Sequence, residues 1–275
     1  MKIGARPRRP LTAGMRRGTA GTVAVTALVA AVCGTGGPTA APDPASATTR
    51  TVAASRTKAA GAPTVKDAKP VAGAAGERVD CKRAKCVALT FDDGPGRHTD
   101  ALLRHLAAYR ARATFFVVGR NVAANQAIVR RTYAAGHEIG SHTWSHPDLT
   151  TLPAAKVRAQ FARTDRAIKA AIGVRPKLVR PPYGAFNAAV RKQTRRPLVM
   201  WSVDTLDWLH RDSSRVARKT LKSVRPGSVI LFHDIHPTTV AAMPKVLKRL
   251  SARGYTFVTV SRLYGGRPPK LVYGR

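Results

Sequence analysis

Two short segments hold the residue types best suited to chemistry: Thr90-Phe91-Asp92-Asp93-Gly94-Pro95 and Ser141-His142-Thr143-Trp144-Ser145-His146. Neighbours in a strand point to opposite faces, but at a strand end running into Gly-Pro both aspartates can reach one pocket. Two carboxylates held that close repel and lift one pKa unless a cation sits between them. A divalent metal on Asp93, His142 and His146 would remove the conflict and keep a position open for water, the layout of a catalytic rather than a structural zinc site. Asp92 would then be free to handle protons. Taken singly, each segment has a plainer reading: Asp-Asp-Gly is a common turn, and histidines four apart occur on surfaces and in cores.

Three further segments change that balance. Arg180-Pro181-Pro182-Tyr183 follows Leu178-Val179, Asp204-Thr205-Leu206-Asp207-Trp208 follows Val199-Met200-Trp201, and Val229-Ile230-Leu231-Phe232 runs into His233-Asp234. Each places polar or ionisable groups directly after a short β-type run, where loops on a rigid scaffold carry chemistry.

In order and nearly letter for letter, these five segments resemble the motifs of the polysaccharide deacetylases, the family-four carbohydrate esterases with the NodB-homology domain. The resemblance runs from about Cys81 to about Gly265, with Val229 where the family more often has leucine. It implies Asp93, His142 and His146 as ligands of a divalent metal, zinc first and cobalt or nickel as substitutes. It implies Asp92 as the general base acting on water at the metal, and His233 as the general acid for the departing nitrogen. Arg180 would pair with Asp92 and hold it ionised, and Asp204 would accept a hydrogen bond from His233 and favour its protonated form. The backbone N–H of Tyr183 would help bind the oxyanion, and Trp208 with Leu231 would line the pocket for the acetyl methyl.

Amide hydrolysis needs a nucleophile at neutral pH, a counter-charge for the oxyanion and a proton for a poor leaving group. A metal serves the first two needs, so no serine, cysteine or threonine nucleophile is required, and no G-x-S-x-G elbow is present. Asp207 reads either as a site residue or as a cap of the turn leading to Trp208. His236 reads as a loop histidine before Pro237, and His98, His105, His137 and His210 as solvated or structural. Of the tryptophans, Trp201 lies in an apolar run and reads as core, whereas Trp144, inside the metal motif, reads as a cleft residue.

These groups need a scaffold that brings strand ends together. Val87–Phe91, Ala113–Val118, Glu138–Gly140, Leu178–Val179, Leu198–Ser202, Ser228–Phe232 and Thr256–Val260 read as strands. Between them Val157, Phe161, Thr164 and Ile168 share one helical face, as do Val240, Met243, Leu247 and Leu250. Such alternation predicts an α/β fold in which a parallel sheet closes or nearly closes into a barrel, with the site at the strand C-terminal ends. The resemblance implies a distorted (β/α) barrel of about seven parallel strands in one catalytic domain, 81–275.

Ahead of that domain, a basic stretch from Lys2 to Arg17 and an apolar run from Thr22 to Val32 have the layout of a secretory signal, read over 1–47. Ala45-Ser46-Ala47 and Pro38-Thr39-Ala40 are candidate cleavage sites. The Ala/Pro/Thr-rich stretch over 48–80 has no apolar period and reads as a flexible linker. In an exported protein, Cys81 and Cys86 are expected to form a disulfide closing a small loop. The whole chain carries net +34, and from Cys81 onward 36 Lys and Arg face 10 Asp and Glu, leaving +26. Half of those acids lie in or beside the motifs, so the surface is almost purely basic and suits a polyanionic neighbourhood. The expected activity is removal of N-acetyl groups from N-acetylglucosamine polymers of the peptidoglycan or chitin type, by a secreted monomer associated with an anionic cell wall and not with nucleic acid. The rivals are an O-acetyl esterase acting on xylan and a non-catalytic basic wall- or nucleic-acid-binding module.

Overall fold

The computed structural model describes residues 79–275. Its organising strand, β1 (Cys86–Asp92), is buried along its whole length. It pairs in parallel with β2 (Thr114–Val117) on one side and β6 (Val229–His233) on the other. Strand parity sorts its side chains. Val87, Leu89 and Phe91 face the larger core, where the Phe91 ring stacks between Phe115 at 5.2 Å and Phe232 at 5.4 Å. Cys86 and Ala88 face a second core with Phe116, Leu178, Val199 and Val229. Asp92 continues this second series, which carries its carboxylate to the mouth of the strand ring.

The remaining strands are β3 (Glu138–Ser141), β4 (Leu198–Val199), β5 (Val203–Asp204), β7 (Thr256–Phe257) and β8 (Leu271–Val272), and every ladder among them is parallel. The main sheet runs β3-β2-β1-β6-β5. Beyond β3, Ser141 bridges to Val179 and Val179 to Leu198. The run from Leu198 to Asp204 thus meets β3's side at one end and β6 at the other, so the sheet closes into a distorted barrel. The expected strand at Leu178–Val179 makes only isolated bridges. The one expected over Leu198–Ser202 stops at Val199, because the Val199 and Met200 carbonyls are taken by the Arg180 guanidinium. The one expected over Thr256–Val260 stops at Phe257, because Thr259 caps a short helix by accepting from the Arg262 N–H.

The helices are α1 (Thr99–Ala108), α2 (Gly119–Ala124), α3 (Gln126–Ala134), α4 (Ala154–Ile172), α5 (Ala188–Lys192), α6 (Asp207–His210), α7 (Ser213–Ser223), α8 (Pro237–Ala252) and α9 (Val260–Leu263). The apolar faces expected on α4 and α8 are buried residue for residue. α4 ends where Gly173 takes φ 78°, a left-handed stop that glycine adopts without steric cost. Cys81 and Cys86 form a disulfide at the foot of β1. The signal segment expected over 1–47 lies outside the described residues, as does the linker expected over 48–80 except for Val79 and Asp80; Val79 packs against the second core. No helix among the described residues is long and apolar enough to cross a membrane.

Candidate active site

Asp92 enters the site already paired. Arg180, wholly buried, donates from Nη1 to Asp92 Oδ1 and to Thr90 Oγ1, both at 2.8 Å, and from Nε and Nη2 to the Val199 and Met200 carbonyls at 2.9 Å. Its guanidinium lies 4.2 Å over the Phe116 ring. A charge this deep is tolerable only when its donors are engaged, and here every guanidinium nitrogen has a partner. Burial pushes the Asp92 carboxyl above its ordinary pKa and outweighs the lowering influence of Arg180.

Asp93 escapes strand parity through a left-handed backbone, φ 72°. The turn aims its carboxylate at His142 and His146, whose Nε2 atoms lie 3.5 and 3.4 Å from Asp93 Oδ1. Thr143 and His146 are left-handed too, at φ 67° and 61°, and this brings both imidazoles to the same point. Such conformations cost of order 1 kcal/mol each and cluster where geometry serves a function. The segment is tied down by Gln160, whose Oε1 accepts from the Trp144 and Ser145 N–H groups.

Whether this triad fits a cation can be judged from its protons. His142 Nδ1 lies 2.7 Å from the Arg180 carbonyl oxygen, an acceptor only, so the ring proton is on Nδ1 and Nε2 presents a lone pair. Burial drives the His142 pKa down to about 3, so the ring is neutral. That lone pair faces Asp93 Oδ1, a buried oxygen with no hydrogen-bond partner. Two electron-rich atoms this close require a positive centre. Metal–ligand bonds of about 2.0–2.1 Å in a tetrahedral site place ligand atoms roughly 3.3 Å apart, close to the separations found. Asp93, His142 and His146 therefore fit a divalent ion.

His233 ends β6 beside Asp92 of β1, its register partner. Its Nδ1 is 2.8 Å from Asp207 Oδ1, and Asp207 Oδ2 accepts from the His233 backbone N–H and the Thr239 hydroxyl, both at 2.7 Å. The expectation for Asp204 is corrected here: its Oδ1 accepts from the Leu206 N–H at 2.9 Å, and Asp207 holds His233. Leu206, at φ 55°, turns the chain so that α6 begins with Asp207 pointing inward and fully buried. Burial disfavours a charged His233, but the hydrogen bond and charge of Asp207, helped by Asp92 and Asp93, push it up to about 9. Burial likewise works against ionised Asp207, yet His233 and Thr239 hold its carboxyl below the ordinary value.

These groups open into one cleft of about 550 Å³, lined by Asp92, Asp93, His142, His146 and His233 together with Tyr183, Trp201, Trp208 and Leu231. A model of the polysaccharide deacetylases matches residues 80–197. The peptidoglycan-N-acetylglucosamine deacetylase PgdA of Listeria monocytogenes is 42% identical over 185 residues, covering 67% of this chain and 40% of that protein. The peptidoglycan-N-acetylmuramic acid deacetylase PdaC of Bacillus subtilis is 39% identical over 180 residues, 65% of this chain and 38% of that protein. The chain thus spans about 40% of the length of these curated relatives. A solved structure described as a T48 deacetylase with substrate superposes with a TM-score of 0.69 at 47% identity, covering 71% of this chain and 99% of that one. The chain belongs to the polysaccharide deacetylase family.

Within this polysaccharide deacetylase fold the two tryptophans exchange the places expected of them. Trp201 lines the cleft, whereas Trp144 packs against Gly119 under the Arg163 guanidinium, 4.2 Å from its ring centroid. Tyr183, at φ 59° and 70% exposed, sets its ring edge-on to His146 at 4.7 Å. His137 is structural: its Nδ1 accepts from the Ala113 N–H, and burial lowers its pKa to about 4. His98, His105 and His210 stand outside the cleft lining, but His236 is part of it.

Three residues without a role in the sequence reading border the site. Asp234, fully buried, accepts from the Thr99 hydroxyl at 2.5 Å and presses on Gly94, where an added Cβ would come within 2.6 Å of its Oδ1. Its burial pushes it up to about 7. Arg211 and Ile235 line the cleft. Their only sequence signal is adjacency to the motif ends.

Proposed function

We propose that this chain is an exported, divalent-metal-dependent deacetylase that hydrolyses N-acetyl groups of N-acetylglucosamine-containing polymers, with a peptidoglycan glycan as substrate. The observation that carries the reading is the unpartnered, buried Asp93 oxygen facing the two histidine Nε2 atoms. It lies in the same cleft as a guanidinium-paired carboxylate and a carboxylate-paired histidine. A divalent ion held by Asp93, His142 and His146 would supply Lewis acidity, lowering the pKa of water and polarising the acetyl carbonyl.

The chain's own residues account for the proton transfers. Asp92, its Oδ1 engaged by Arg180, takes a proton from the attacking water, and burial, by raising its pKa, strengthens it as a base. His233, with Nδ1 committed to Asp207, delivers a proton from Nε2 to the nitrogen as the C–N bond breaks. Water's oxygen stays on the carbonyl carbon, acetate leaves, and the free amine remains on the sugar. Leu231 and Trp208 offer the acetyl methyl an apolar wall within the cleft.

Export rests on the N-terminal signal pattern, and association with an anionic wall rests on the +26 of the domain. The monomeric state is part of the same reading. The test is acetate release from peptidoglycan, chitooligosaccharides and acetylxylan by metal-stripped protein reconstituted with zinc, cobalt or nickel. Release from the two amino-sugar substrates, restored by zinc, is expected. Release from acetylxylan alone would replace the reading with an O-acetyl esterase, and tight polymer binding without release from any substrate would replace it with a binding module.

A further inference from the structure

Arg211 lines the cleft, and its situation is the reverse of that of the wholly buried Arg180. It follows α6 with a left-handed backbone, φ 49°. Its Nε donates to the Trp208 carbonyl oxygen at 2.8 Å and its Nη1 to His236 Nδ1. These contacts hold the planar group in place while Nη2 has no partner among the described residues. No carboxylate among the described residues lies within salt-bridge distance of Arg211. Asp92 is taken by Arg180 and Asp207 by His233, and Asp204, in the same cleft, is turned to the Leu206 N–H.

We propose that Arg211 is a specificity-determining cation that binds a carboxylate carried by the substrate, so that the preferred glycan is an acidic amino-sugar polymer rather than a neutral one. The inference deepens the deacetylase reading and rests on it. A sugar entering the cleft strips water from the guanidinium. Neutral hydroxyls compensate that loss poorly, whereas a carboxylate accepts charge-assisted bonds on the open edge of the fork. Peptidoglycan provides such groups, on the stem peptides that amidate its muramic ether arm and on that arm itself where the peptide has been removed; chitin provides none. The anchoring by Trp208 and His236 also reduces the rotamer freedom lost on binding, which favours recognition by this arginine over the freely solvated ones elsewhere.

The test measures binding separately from turnover. Calorimetry on the full chain loaded with zinc would compare N-deacetylated muramic-containing tetrasaccharides in two forms, free acid and primary amide, which are nearly isosteric and differ in the charge offered to Arg211. The wild type is expected to prefer the free acid by about tenfold or more, as a charge-assisted bond implies. Arg211→Gln should bring the ratio to near one, and Arg211→Lys should fall between. Equal binding of both forms by the wild type, no binding of either, or a preference that survives in a folded Arg211→Gln overturns the proposal. Acetate release from the N-acetylated tetrasaccharide, measured alongside, separates the two readings: its absence with the acid preference intact rejects the deacetylase and keeps the carboxylate site.

Discussion

Asp207 holds His233 at two points, through Nδ1 at 2.8 Å and the backbone N–H at 2.7 Å, so one buried carboxylate sets both the ring's orientation and its charge. With His233 pushed up to about 9 and proposed as the general acid, activity on an acetamide should fall as pH rises through that value, where the imidazolium loses its proton. The acidic limb is assigned to Asp92, whose pKa burial raises, so activity should fall as pH drops into the region where that carboxylate takes up its proton. Asp207→Asn removes the largest raising influence on His233, so the alkaline limb should move to lower pH and the rate at neutrality should fall by roughly 10²-fold. An unmoved alkaline limb in that variant would separate His233 from the limb. For stability, a raised histidine pKa contributes fully below its unfolded value of about 6.5 and is lost as pH passes about 9.

Asp92→Asn and His142→Ala should part company in elemental analysis. The first leaves the three ligand atoms untouched and should keep stoichiometric zinc while losing roughly 10²–10⁴ in rate. The second leaves two ligands and should lose zinc and activity together. Zinc loss from Asp92→Asn would mean that the ligand and base assignments are exchanged.

Gly140→Ala tests how far packing controls the base. A Cβ at Gly140 would meet the Phe116 ring at 2.5 Å, and Phe116 is fully buried beneath the Arg180 guanidinium. Overpacking of this kind costs about 1–3 kcal/mol. Chemical denaturation should register that loss, with kcat falling more than KM changes as Arg180 shifts from Asp92. Unaltered stability would show that the ring relaxes without cost.

The basic surface should act at a distance from the chemistry. Screening shortens the reach of exposed charges to about 8 Å at physiological ionic strength, so sedimentation with an anionic wall should weaken as salt rises. Turnover of a short neutral oligomer should change far less. Equal salt sensitivity in the two assays would dismiss the surface as a docking device.

Much of this architecture is legible in the sequence because burial imposes periods. The apolar faces of α4 and α8 and the unbroken run of β1 announce themselves as repeats of 3.6 residues or as continuous apolar stretches. Motif order supplied Asp93, His142 and His146 as a set, and the ring of strands brings them within 4.8 Å of one another. What escaped lies in aperiodic segments a few residues long. β5 and β8 have two residues each and exist only because β6 and β4 lie beside them. Asp204 and Asp207 are equally good carboxylates three positions apart, and the left-handed Leu206 decides between them by turning the first into its own loop and the second toward His233. Trp144 and Trp201 differ in the same way. Local pattern records which residues avoid water, whereas the partner of a polar group at a loop is set by strands and helices distant in the chain, whose meeting no local spacing encodes.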